Sequence, residues 1–222
     1  MDVDRYGAVG YPFGGESGER PVVVGWILGM LAFIVPVVPA VPFLGYLVRV
    51  VGASERGEPA PPLGDDLRGL ARDSVAAVVV SLGYLVVPFL ALAVTIYGAV
   101  SSNASADLEF VGALAVYGGS TAVLVLSLLG AYLLPIALAE AASDRPLRSA
   151  FARSRVVPVG KHAAYFTRWT AGAVAMSMSI SVANLVAAAP RVGPVVAALV
   201  LAYGSVVACH LWGRAVGVAR AR

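Results

Sequence analysis

Charge is absent from this chain over stretches long enough to cross a lipid bilayer: Pro21 to Val48, Ser74 to Ala106, Phe110 to Ala139 and Trp169 to Ala189 hold no Asp, Glu, Lys or Arg. A hydrocarbon core about 30 Å thick takes about 20 apolar residues to cross as a helix, and it leaves no backbone polar group unpaired. Each stretch is therefore expected to be a membrane helix. A fifth, Val195 to Leu211, is shorter and ends at Cys209, His210 and Leu211. Composition agrees, with 59% apolar and 13% charged residues and a mean hydropathy of +0.83. Soluble domains average about 45–50% and roughly 25%. The expected fold is all-α, a polytopic helical membrane bundle of about five transmembrane helices with two short basic interfacial helices. Residues 1–21 read as a polar N-terminal arm, 22–213 as the transmembrane domain and 214–222 as a basic C-terminal tail.

Proline and glycine punctuate the spans. Pro36, Pro39 and Pro42 fall within the first, Val22 to Leu44, and each removes an amide donor. A single bent span is preferred there over a re-entrant pair, because a complete return crossing needs nearly twice the length. From Arg49 to Asp73 the chain turns polar; Gly57, Pro59, Pro61, Pro62 and Gly64 mark a loop, and Asp65 or Asp66 can cap the next helix. Pro88 denies the Tyr84 carbonyl its helical donor and predicts a kink in the second span. Gly118, Gly119 and Pro135 interrupt the third, whose core is placed at Val111 to Leu134. Between Glu140 and Arg168, Leu147, Ala150, Phe151 and Ser154 recur at helical spacing beside Arg145, Arg148, Arg153 and Arg155, the pattern of a helix lying in the interface. The last two spans flank the turn Pro190 to Pro194 and form an antiparallel hairpin. Segment order also suggests a parallel duplication, with the first two spans and their basic link matching the third, its basic link and the fourth.

Orientation follows from the basic residues. With five spans, 13 of the 16 Lys and Arg fall on the face that holds residues 45–73, 139–168 and the tail, and 3 on the other. That asymmetry predicts a multi-pass cell-membrane protein with its N-terminus outside and its C-terminus in the cytoplasm. A double crossing by the first segment would move the arm inside.

The spans carry little chemistry. No HExxH, GxSxG, phosphate-binding loop, CxxC pair or dinucleotide fingerprint occurs, and His162 and His210 are separated by a whole span. Neither a catalytic site, a metal site nor a cofactor is expected, and the protein is not expected to be an enzyme. Cys209 stands alone, which excludes an intrachain disulfide. The basic clusters lack any nucleic-acid-binding pattern, so nucleic acid is not an expected partner. Asn184 is the candidate intramembrane polar contact, through an interhelical hydrogen bond or a lined cavity. His210 is expected at the interface, and Glu140 is expected to pair with Arg148 or Arg145. Gly25 and Gly29 form a GxxxG pair suited to close helix contact inside the bundle. Asn103-Ala104-Ser105 matches a glycosylation acceptor.

Pro42-Phe43-Leu44-Gly45-Tyr46-Leu47-Val48-Arg49-Val50, followed by Gly57-Glu58-Pro59, Pro61-Pro62 and Gly64-Asp65-Asp66-Leu67, resembles the signature of the DUF4013 domain. Tyr132 to Leu138, Ala150-Phe151 and Arg155-Val156-Val157-Pro158 resemble its second half. The likeness spans about residues 22–213, and it implies an uncharacterised membrane protein of a family abundant in halophilic archaea. In place of the aromatic residue usual before the acids, this chain has Gly64. No activity comes with the resemblance.

Two functions compete. A scaffold or subunit would contact anionic membrane lipid, another membrane protein or a second copy through Arg145, Arg148, Arg153 and Arg155. A small-solute transporter or permease component would use the proline breaks and Asn184 to line a cavity.

Overall fold

The computed structural model describes residues 7–13, 19–31, 39–62, 66–102, 110–143 and 146–221, and among these the regular structure is helical throughout. A short turn, α1 (Gly7–Gly10), leads into a 3-10 turn (Tyr11–Phe13). Then follow α2 (Arg20–Leu31), α3 (Ala40–Arg56), α4 (Leu67–Ser102) and α5 (Phe110–Ala141). A second 3-10 turn (Leu147–Phe151), α6 (Arg153–Gly160), α7 (Ala163–Ala187) and α8 (Gly193–Arg220) complete the order. Among the described residues, four helices are long and apolar enough to cross a membrane: Leu67–Tyr97, Tyr117–Ala141, Ala163–Ala187 and Gly193–Arg220, with mean hydropathies of 2.5, 2.4, 1.5 and 2.0.

Within the expected first span the described helix α2 ends at Leu31 and α3 begins at Ala40, and residues 32–38, which hold Pro36, lie outside the described residues. The 12 residues described for α2 account for about 18 Å of rise. Pro39 and Pro42 sit at the start of α3, where a missing amide is tolerated. That helix runs on through Arg49 to Arg56, beyond the predicted end of the span, and closes on Gly57 in the left-handed conformation (φ 76°). Asp66 caps α4 as expected, its Oδ1 accepting from the Gly69 amide at 3.0 Å.

The chain divides into two compact units. One comprises Met1–Val80 with Pro135–Arg222, the other Ser81–Leu134. In the smaller unit α4 and α5 pack antiparallel. A Cβ on Gly130 would stand 2.8 Å from the Tyr84 carbonyl oxygen, and one on Gly119 would stand 3.2 Å from Thr95 Oγ1. α4 runs as continuous helix through Pro88, and the Tyr84 carbonyl, one turn before that proline, faces a residue with no side chain.

The larger unit is organised around α8, whose 28 residues extend about 42 Å. α7 runs antiparallel to it, with Gly172 against Trp212, Gly204 against Ser179 and Gly193 against the Val186 carbonyl. The Trp212 indole donates to the Trp169 carbonyl at 3.1 Å. α3 runs parallel to the last third of α8, where Gly213 and Gly217 lie against the carbonyls of Val51 and Glu55. α2 meets the opposite end, Gly29 against Ala198 and the Trp26 indole donating to the Val195 carbonyl at 2.8 Å. The GxxxG pair is therefore consumed within the chain, since the Phe43 ring occupies the space beside Gly25.

Burial is uneven along the helices. Tyr46, Val50, Val51, Ile136, Tyr165 and Val216 are fully buried, and each lies within about three turns of a charged segment. By contrast, most of the side chains in the apolar windows of α4, α5 and α7 are exposed, as expected where lipid is the solvent.

Candidate functional site

The densest polar chemistry lies in this packed end, within the larger unit. Glu140 closes α5 with only 2% of its side chain exposed, and the Arg220 guanidinium donates to it and to Glu55 of α3. Arg155 of α6 approaches Glu140 at 3.7 Å. Two carboxylates and two guanidiniums from four helices thus balance one another where an unpaired charge would cost several kcal/mol. Glu140 was expected to pair with Arg148 or Arg145. The end of α8 reaches it, because α8 continues as helix to Arg220 and places the predicted tail residues Arg214 and Arg220 on the bundle. Arg145 lies outside the described residues.

Beside the ionic cluster is an aromatic and hydroxyl cluster. Ser54 Oγ and His210 Nδ1 are 2.9 Å apart, with Ser54 fully buried and His210 8% exposed. The Tyr11 ring stacks on the imidazole with centroids 3.7 Å apart and 21° between planes, and its hydroxyl donates to the Glu58 carbonyl at 3.5 Å. Burial raises the Tyr11 pKa above its ordinary value. His210, expected at the interface, is buried among Ser54, Tyr11 and the helix packing. A single sequence could not show that the arm 7–13 folds back to cover it.

A third cluster lines a groove of about 480 Å³ formed by Arg49, Arg56, Glu58, Pro59, Asp73 and Ala142 among others. Arg49 Nε donates to Asp73 at 2.6 Å, and a second nitrogen of the same guanidinium meets Asp66 at 3.5 Å. Arg56 grips Glu58 with two hydrogen bonds of 2.8 and 2.7 Å, and that hydrogen bonding holds the Glu58 carboxyl below its ordinary pKa. The cations of the groove are thus matched internally.

The interfacial segment is broken rather than one helix. Its 3-10 turn ends at Ala152 in extended conformation (φ −74°, ψ 107°) before α6 begins. Arg148, Arg153 and Arg155 are all exposed, as their proposed lipid role requires. Asn184 is exposed on α7, about a turn from that helix's end. Asn103 lies outside the described residues. Among the described residues no three His, Cys, Asp or Glu side chains gather as a metal site.

The family model described as "Protein of unknown function (DUF4013)" matches residues 28–190, most of the chain. The chain belongs to the DUF4013 family. The match includes α3, α4, α5 and α7 in full, so the Glu55 and Glu140 ends of the ionic cluster lie inside the DUF4013 region while Arg220 lies beyond it. No curated protein and no solved structure matches this DUF4013 chain.

Proposed function

We propose that this protein is a membrane scaffold or subunit that binds anionic lipid, or a membrane partner, through its basic face. One observation carries the reading: Glu55, Glu140, Arg155 and Arg220 are joined in an ionic cluster at the packed end, which builds a fixed platform rather than a reactive site. Arg148 and Arg153, on the same connection as Arg155, are exposed. Each cation near an anionic surface contributes about 1 kcal/mol of attraction.

The arrangement also suggests a topology. α2 and α3 both run parallel to α8, α2 against its Val195 end and α3 against its Gly213 end, which favours one broken crossing by the pair beside the crossings of α4, α5, α7 and α8. Arg20, at the start of α2, then lies with Arg191 on the face opposite the end of α8. Residues 45–73, 139–168 and the tail hold 13 of the 16 basic residues, and the positive-inside rule gives their face to the cytoplasm.

The test is reconstitution of the full chain into nanodiscs of defined lipid. Retention of phosphatidylglycerol over phosphatidylcholine on extraction supports the proposal; equal retention removes its lipid half. Co-purification of a defined membrane partner whose binding is lost on substituting exposed arginines would support the partner half.

A further inference from the structure

Residues 146–163 contain four cations and no carboxylate. Two clusters elsewhere offer less. The groove beside Arg49 has its cations matched by Asp73, Asp66 and Glu58, and the Ser54 and His210 pair is sealed beneath Tyr11. The connection between α5 and α7 differs, because the charge that would balance its outward cations must come from outside the connection.

Its side chains divide by direction. Ser149, Ala150, Val156 and Val159 turn inward, with exposures of 7%, 0%, 2% and 7%. Arg148, Phe151 and Arg153 turn outward, and Phe151 is 43% exposed. The extended residues Pro146 and Ala152 bracket the 3-10 turn and interrupt helical periodicity, so the outward set is not the polar face of an amphipathic helix. A large aromatic ring between two guanidiniums suits the boundary of head groups and acyl chains, where phosphate meets the cations and hydrocarbon meets the ring. Arg155 plays another part, since Glu140 engages it and so fixes α6 to the end of α5.

We propose that this connection is a lipid anchor in which Arg148 and Arg153 hold head-group phosphates, Phe151 enters the acyl boundary, and Arg155 is a positioning residue. The inference rests on the reading that the basic face contacts anionic lipid, and it assigns that contact to one element. Free phosphate would satisfy the arginines but leave Phe151 in water, so the ring selects the lipid.

The full chain carrying Cys209→Ala and Phe151→Cys, spin-labelled in phosphatidylglycerol nanodiscs, should be more accessible to oxygen than to a water-soluble nickel chelate. In the otherwise native chain, Arg148→Gln and Arg153→Gln should each weaken the preference for phosphatidylglycerol over phosphatidylcholine by about fivefold. Inorganic phosphate should not restore it. Arg155→Gln should keep the preference while lowering the melting temperature. Greater exposure of position 151 to the nickel chelate overturns the anchor. So does a preference that survives the double substitution but is lost on replacing Arg68 and Arg72, an outcome that leaves the broader lipid reading standing. A native chain with no lipid preference defeats both.

Discussion

Arg220 holds two carboxylates at once, and the energetics of the packed end turn on that sharing. Arg220→Ala removes the guanidinium that bridges the largely buried Glu55 and Glu140 and should lower unfolding free energy by about 3–5 kcal/mol, read as an earlier midpoint in detergent titration. Neutralising all three groups together, as Arg220→Met with Glu55→Gln and Glu140→Gln, should recover most of the loss. Glu58 gives a pH signature with a defined sign. Its folded pKa is depressed by Arg56, so the pair contributes above the ordinary carboxylate range and loses its contribution as pH falls through the depressed value. Both side chains are half exposed, so the effect is small. A carboxyl-carbon NMR titration should show the depression vanish in Arg56→Gln. At this scale the sequence was only partly legible. The Asp66 cap has a local signature, whereas Ser54 and His210 meet across 156 residues and leave no trace in spacing.

Elements were legible where hydrophobic length alone decides them and obscure where packing does. The spans α4, α5 and α7 follow from runs without charge. α3 does not, because Arg49 and Arg56 look like the end of a membrane segment until Asp73 and Glu58 are seen to neutralise them inside a longer helix. Asp66→Ala should cost about 1 kcal/mol through loss of the α4 cap, measurable as a lower melting temperature and faster amide exchange at Gly69. Gly213→Leu tests the α3 and α8 contact more severely, since even a Cβ there collides with the Val51 carbonyl and the Ser54 side chain. It should separate the two helices and expose Cys209, which is buried in the native chain, to alkylation by a membrane-permeant maleimide.

For the whole molecule, the helical membrane class could be read from hydropathy, but the fold-back of the arm could not. Tyr11 stacks on His210 within the helical packing, a contact between residues 199 positions apart that no local pattern announces. In a Cys209→Ala chain, cysteines placed at the exposed positions 20 and 188 should react with an impermeant maleimide in intact cells, while one at the exposed position 161 should react only after cells are opened; the reverse pattern would reject the five-crossing topology. The shared arginine also imposes an order of manufacture. Glu55 and Glu140 leave the ribosome 165 and 80 residues ahead of the side chain that bridges them. At about 5–20 residues per second the earlier acid waits on the order of ten seconds or more. Until α8 arrives, the nascent chain holds both acids beside the bilayer without their common counter-ion, a transient mark by which unfinished copies differ from finished ones.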